Sequence, residues 1–246
     1  MKKIVMALVA AALAAGAPVA GWAGETPSPA PQGGSVTGQV KVKDPPRRKK
    51  IKMDADPKCA ALHSDAPLED SIVTDAEGNV QYAFVYVKKG LEGKTFEVPK
   101  TPAVIDQKGC RYEPHVLGVM AGQEILIKNS DDLLHNIHAL PFNNKEFNFG
   151  QPQKGMEEKK VFTQPEIMVK VKCDVHPWMS AWVGVVEHPF HAVTDASGKF
   201  EIKGLPPGKY TLEVWQERYK SVTVDVEVKD GAASDVKVEM AERKES

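Results

Sequence analysis

Val222, Val224, Val226 and Val228 alternate strictly with polar residues. A period of two held over that length puts one face of a strand against a core and excludes a helix. The same texture covers most of the chain. Val36 to Val42 alternates, and Tyr82 to Val87 is dense in β-branched and aromatic residues. Glu124 to Lys128 is a short apolar run, and Val169, Val171 and Cys173 share one face of a further strand. Turn signals separate these segments at Glu77-Gly78-Asn79, Ser197-Gly198, Pro206-Pro207-Gly208 and Asp230-Gly231. With no sustained helical periodicity and no repeat of fixed length, the expected class is all-β.

Upstream, Lys2 and Lys3 precede an apolar run from Ile4 to Ala15, and Gly21 and Ala23 offer a cleavage point before Gly24. Residues 1–23 therefore read as a secretory signal peptide, since Gly16 and Pro18 break the run well short of a membrane span. Residues 24–34 form a Pro/Gly linker. The expectation is an exported, periplasmic protein with no membrane insertion after cleavage. The remaining length accommodates two small domains. A net charge of −1 with 26% charged residues gives no basic footprint for nucleic acid, and Arg47 to Lys50 reads as a solvated loop. Three cysteines in an exported chain leave at least one without an intramolecular partner.

The stretch Cys173-Asp-Val-His176-Pro-Trp-Met179 gives that thiol a role. Alternation points Cys173 into the core at the end of its strand. Pro177 then stiffens a turn that folds His176 and Met179 back towards the sulfur. His135, directly after the apolar run at 124–128, supplies the fourth candidate ligand. A thiolate, two imidazoles and a thioether suit one copper ion of the type 1 (blue) kind better than zinc, which needs no thioether. His138 competes with His135 for the same role. The flanks of Cys173 are Lys172 and Asp174 rather than histidines, and neither Cys-x-x-Cys-His nor a catalytic motif occurs.

These residues resemble the cupredoxins of the amicyanin and plastocyanin branch. The resemblance rests on Cys173-x2-His176-x2-Met179, His135-Asn136, Tyr112-x-Pro114, Ala121-Gly122-Gln123 and Asn129-x-Asp131. It covers residues 96–188 and implies a Greek-key β-sandwich that transfers single electrons to redox partner proteins, without enzymatic activity. His176, between Val175 and Pro177-Trp178, is expected to be the ligand that reaches the surface, with Pro141, Pro177 and Trp178 forming a patch around it. His188 and His191 read as exposed loop residues.

Residues 189–246 contain Thr194-Asp195-Ala-Ser-Gly198-Lys-Phe200 and Gly204-Leu-Pro-Pro-Gly208-Lys-Tyr210. This pattern resembles the carboxypeptidase regulatory-like sandwich, related in shape to transthyretin. The opening strands of such a module have their look-alikes far upstream, in Gly38-Gln-Val40 and Ala83-Phe-Val85-Tyr-Val87. Residues 35–95 are therefore expected to complete the C-terminal sandwich, with 96–188 inserted at a surface turn. Cys59 and Cys110 read as a disulfide; Cys59-x3-His63 with Cys110-x4-His115 as a Cys2His2 metal site is the alternative. Besides electron transfer, a non-redox copper-binding or structural, carbohydrate-binding surface protein, and a copper enzyme with a second centre, fit the same residues.

Overall fold

The computed structural model describes residues 33–242. The signal peptide and most of the linker lie outside them, and Gly34, assigned to the linker, instead opens a strand. Among the described residues eighteen strands and one five-residue helix, Pro57–Ala61, make up the regular structure. No helix there is long and apolar enough to cross a membrane.

The strands build two β-sandwiches. In the first, Gly34–Val42 lies between Lys199–Leu205 and Ala233–Met240. Facing this sheet is the order His191–Val193, Phe84–Lys89, Gly208–Gln216, Tyr219–Val228. The core between them draws on both ends of the chain, with Val36, Val40, Val85 and Val87 packed among Phe200, Ile202, Leu212 and Val238. Thr194 joins the two chain segments. Its hydroxyl donates to the Val80 carbonyl at 2.6 Å and accepts from the Ala83 N–H at 2.8 Å.

The second sandwich pairs the five-stranded order Phe147–Gln151, His135–Leu140, Glu166–Lys172, Ser180–Val186, Val116–Met120 with the four-stranded order Glu157–Val161, Glu124–Asn129, Ala103–Gln107, Tyr112–Glu113. Ile105, Ile125, Ile127, Ile137, Val171 and Val183 fill it. Ile51, Met53 and Cys59 belong to this second core. Part of the 35–95 stretch therefore serves one sandwich and part the other.

A third, smaller apolar cluster joins the two sandwiches. Phe84 of the first lies against Gly118 and Gly184, which sit opposite each other in neighbouring parallel strands of the second. A Cβ would come within 2.6 Å of the Phe84 ring at either glycine. Gly is thus required there for close approach rather than for a turn. His191 and His188 depart from the expectation of exposed loops. His191 opens a strand and packs on Phe84, with ring centroids 5.6 Å apart. His188 is buried, its Nε2 2.8 Å from the Val87 carbonyl. Both lie where the chain passes between the sandwiches, and that crossing buries His188 and partly covers His191.

Candidate metal centre

Adjacent strands of the five-stranded sheet position the four residues. In Glu166–Lys172 the side chains of Val169 and Val171 point inward, and Cys173 continues that parity just past the strand end. The chain reverses at once. The Cys173 N–H donates to the Met179 carbonyl (3.2 Å) and the Met179 N–H to the His176 carbonyl (2.9 Å). The His176 N–H donates to the Cys173 sulfur at 3.3 Å. Asp174 is pinned to the neighbouring strand through its N–H to Asn136 Oδ1, 2.8 Å.

His135 opens that neighbouring strand, in which His135, Ile137 and Ala139 face inward and Asn136, His138 and Leu140 face outward. Parity separates the two competing histidines. His138 lies on the outer face between Asp174 (2.9 Å) and Glu146 (2.7 Å), whereas His135 is fully buried. The loop before His135 is held by Asn129, whose amide donates to the Leu133 and Gln151 carbonyls at 2.8 Å each.

His135 Nδ1 and His176 Nδ1 face each other at 3.2 Å, and Cys173 Sγ is 3.9 Å from His176 Nδ1. Met179 is buried beside them in the same core cluster. Both imidazoles turn their other nitrogen to a carboxylate. His135 Nε2 is 2.8 Å from Asp131, and His176 Nε2 is 3.1 Å from Asp56. Asp131 also accepts the N–H groups of Gly109 and Cys110, at 2.8 Å each. Burial opposes its charge, but His135 and these two N–H groups outweigh it and hold the carboxyl below its ordinary value. Burial likewise pushes the Cys173 thiol up. The His135 imidazole and the backbone N–H groups around the sulfur more than reverse this, so the thiol lies below its ordinary value.

His176 is not the surface ligand expected: it is 2% exposed. The cover comes from residues 43–72, a segment whose sequence carries no strand periodicity. Asp56 caps the Pro57–Ala61 helix by accepting the N–H groups of Lys58 and Cys59, and the same carboxylate meets His176. Cys59, in that helix, is disulfide-bonded to Cys110, with its sulfur 3.5 Å from His176 Nε2. The structure forms this bridge in place of the Cys2His2 alternative. Its thiols are oxidised, His63 is bonded to the Gly109 carbonyl, and His115 is bonded to Glu217 and the Ser180 carbonyl. Cys173 is the free cysteine. Asp56 was missed from the sequence, where nothing marked it beyond a helix-start signal of Asp followed by Pro.

The chain is thus an all-β protein of two sandwiches. The sequence profile of the carboxypeptidase regulatory-like domain matches residues 177–241, well under half of the chain. The match begins within the Cys173–Met179 loop and leaves out the upstream strands Gly34–Val42 and Phe84–Lys89. Among solved structures, a purple cupredoxin from Nitrosopumilus maritimus aligns at 26% identity over 34% of this chain and 98% of its own, TM-score 0.29. An amicyanin in its Cu(I) form aligns at 23% identity over 41% of this chain and 97% of its own, TM-score 0.31. A Cu-containing nitrite reductase from Thermus scotoductus SA-01 aligns at 22% identity and TM-score 0.32; the alignment covers 41% of this chain and 25% of the reductase. No curated protein sequence matches the chain.

Proposed function

We propose that the chain is an exported type 1 copper protein that exchanges single electrons with redox partner proteins and is not itself an enzyme. His135, Cys173, His176 and Met179 would hold the metal. The observation that carries this reading is the orientation of the two imidazoles. Their Nδ1 atoms converge beside the Cys173 sulfur, while both Nε2 atoms are engaged by Asp131 and Asp56. Such carboxylate partners fix ring orientation and tautomer and leave the opposite nitrogen for a metal.

The distances agree. Metal–nitrogen bonds of about 2.0 Å and a metal–sulfur bond of about 2.3 Å at trigonal angles require edges of roughly 3.5 and 3.7 Å. The observed edges are 3.2 and 3.9 Å. Bound there, copper supplies one-electron exchange between two oxidation states. The chain's part is to keep the ligands fixed through that change. Strand parity orients Cys173 and His135, the 173–179 hydrogen bonds hold the loop, and Asp56 and Asp131 brace the rings.

In the same reading residues 96–188 form a cupredoxin-type sandwich inserted into a carboxypeptidase regulatory-like one built from the strand-bearing parts of 35–95 and from 189–246, while Ile51, Met53 and Cys59 pack on the cupredoxin-type core. The strand pairing of Gly34–Val42 with Lys199–Leu205 and Ala233–Met240 supports this organisation. The test is reconstitution with Cu(II). An intense blue or purple band at one copper per chain is expected, lost in Cys173→Ser and kept in His138→Ala. A colourless protein, or a band that survives Cys173→Ser, would overturn the reading.

A further inference from the structure

With His176 covered by the 43–72 segment, a partner needs another approach to the site, and the structure offers one. A cleft of about 770 Å³ opens beside the ligand loop, with Pro177, Trp178 and Met179 in its wall together with Tyr112, His115 and Ile51. Trp178 is only partly buried, its ring centroid is 5.1 Å from that of His176, and its indole N–H donates to the Cys110 carbonyl at 3.1 Å. A rigid aromatic group therefore reaches from a proposed ligand to the cleft.

The rim is cationic. Lys49, Lys50, Lys52 and Arg111 line the cleft against the two carboxylates of Glu69 and Asp70. Asp70 is already committed, to Arg48 at 3.2 Å and to Arg111. Among the described residues Lys49, Lys50 and Lys52 show no ion pair; all three are exposed, as is Arg47 beside them. The chain as a whole carries a net charge of −1, so this strip concentrates positive charge where the balance of the molecule is nearly neutral. Charge gathered at the mouth of a partly apolar cleft raises encounter rates with a partner of opposite sign without demanding tight assembly.

We infer that the cleft walled by Trp178 and Met179 and edged by Lys49, Lys50 and Lys52 is the docking surface for an acidic redox protein. This rests on the electron-transfer reading above. In the docked pair the partner's reduced centre gives up one electron and the oxidised metal site takes it, with no bond made or broken.

Two experiments test it. In the first, the copper-loaded full chain is mixed in stopped flow with a strongly acidic c-type cytochrome and with a strongly basic one of similar potential. The acidic cytochrome is expected to react at least tenfold faster at low salt. That advantage should collapse as ionic strength rises from about 0.01 M to about 0.15 M and the Debye length shrinks from ~30 to ~8 Å. Combining Lys49→Glu, Lys50→Glu and Lys52→Glu should reverse the preference while leaving reduction by neutral hydroquinone unchanged. Equal rates for the two cytochromes, or a triple variant that behaves as wild type, overturn the docking surface. The second experiment needs no copper, which separates this proposal from the copper reading. In the metal-free chain the acidic cytochrome should shift the Trp178 indole N–H resonance and the amides of residues 49–52, and the triple variant should abolish the shifts. Shifts confined to other faces, or binding to phosphatidylglycerol vesicles in place of the cytochrome, overturn it.

Discussion

Replacing Cys59 and Cys110 together with alanine should cost about 4–5 kcal/mol of unfolding free energy in the metal-free protein. The bridge closes a loop of sequence separation 51, for which the chain-entropy relation gives about 4 kcal/mol at 25 °C. Both cysteines are fully buried in the core of the second sandwich, so the lost sulfurs add a packing loss of about 1 kcal/mol. For a domain pair of this size, with each kcal/mol worth about 2–4 °C, the midpoint should fall by roughly 8–20 °C. Urea denaturation followed by tryptophan fluorescence gives the free energy. Amide hydrogen exchange gives the location: protection of residues 57–63 should fall first, because the bridge is the covalent tie of that helix to the sandwich. Loss of Asp56 from His176 should accompany it, leaving the imidazole open to solvent. A double variant destabilised by less than about 1 kcal/mol, with exchange at 57–63 unchanged, would show that the 43–72 segment holds its place without the bridge and would refute the reasoning.

Four further outcomes follow from the same geometry. Metal-free protein denatured without reductant should titrate a single thiol, mapped by peptide alkylation to Cys173; three thiols would be incompatible with the bridge. Burial, reinforced by His188, pushes His191 down from its ordinary value to about 4. The unfolded chain then binds the extra proton first, so stability is lost as pH falls from about 6.5 towards about 4. His191→Phe should flatten that part of the stability–pH curve by up to about 3 kcal/mol, and an unchanged curve in calorimetry would contradict it. Thr194→Val should cost about 2–3 kcal/mol in urea denaturation, because the Val80 carbonyl and the Ala83 N–H both lose a buried partner. Gly184→Val should destabilise by more than about 2 kcal/mol by thermal melting, since its Cβ meets the buried Phe84 ring at 2.6 Å, and Phe84→Ala in the same chain should recover part of the loss.

Much of the candidate site was legible in the sequence because its geometry is local. Two-residue parity carries Cys173 inward after Val169 and Val171, and it separates His135 from His138, three positions apart, onto opposite faces. A short Pro-bearing loop brings His176 back to the sulfur whatever surrounds it. The all-β class and the turn positions rest on the same short-range patterns, whereas the split of one sandwich across the chain was expected from the family resemblance. Ring exposure does not. Whether His176 meets solvent depends on a segment more than a hundred positions upstream, with no regular periodicity and a helix of one turn, brought into place by a disulfide and an N-cap carboxylate. The burial of His188 and the packing of His191 on Phe84 at the crossing between the sandwiches are equally non-local, as is the meeting of Lys49 to Lys52 with Trp178 along one cleft. Backbone periodicity fixes which side of a strand a residue faces. Only the packed chain decides what lies on that side, because the contacts that cover a surface are made between segments whose spacing in sequence carries no signal.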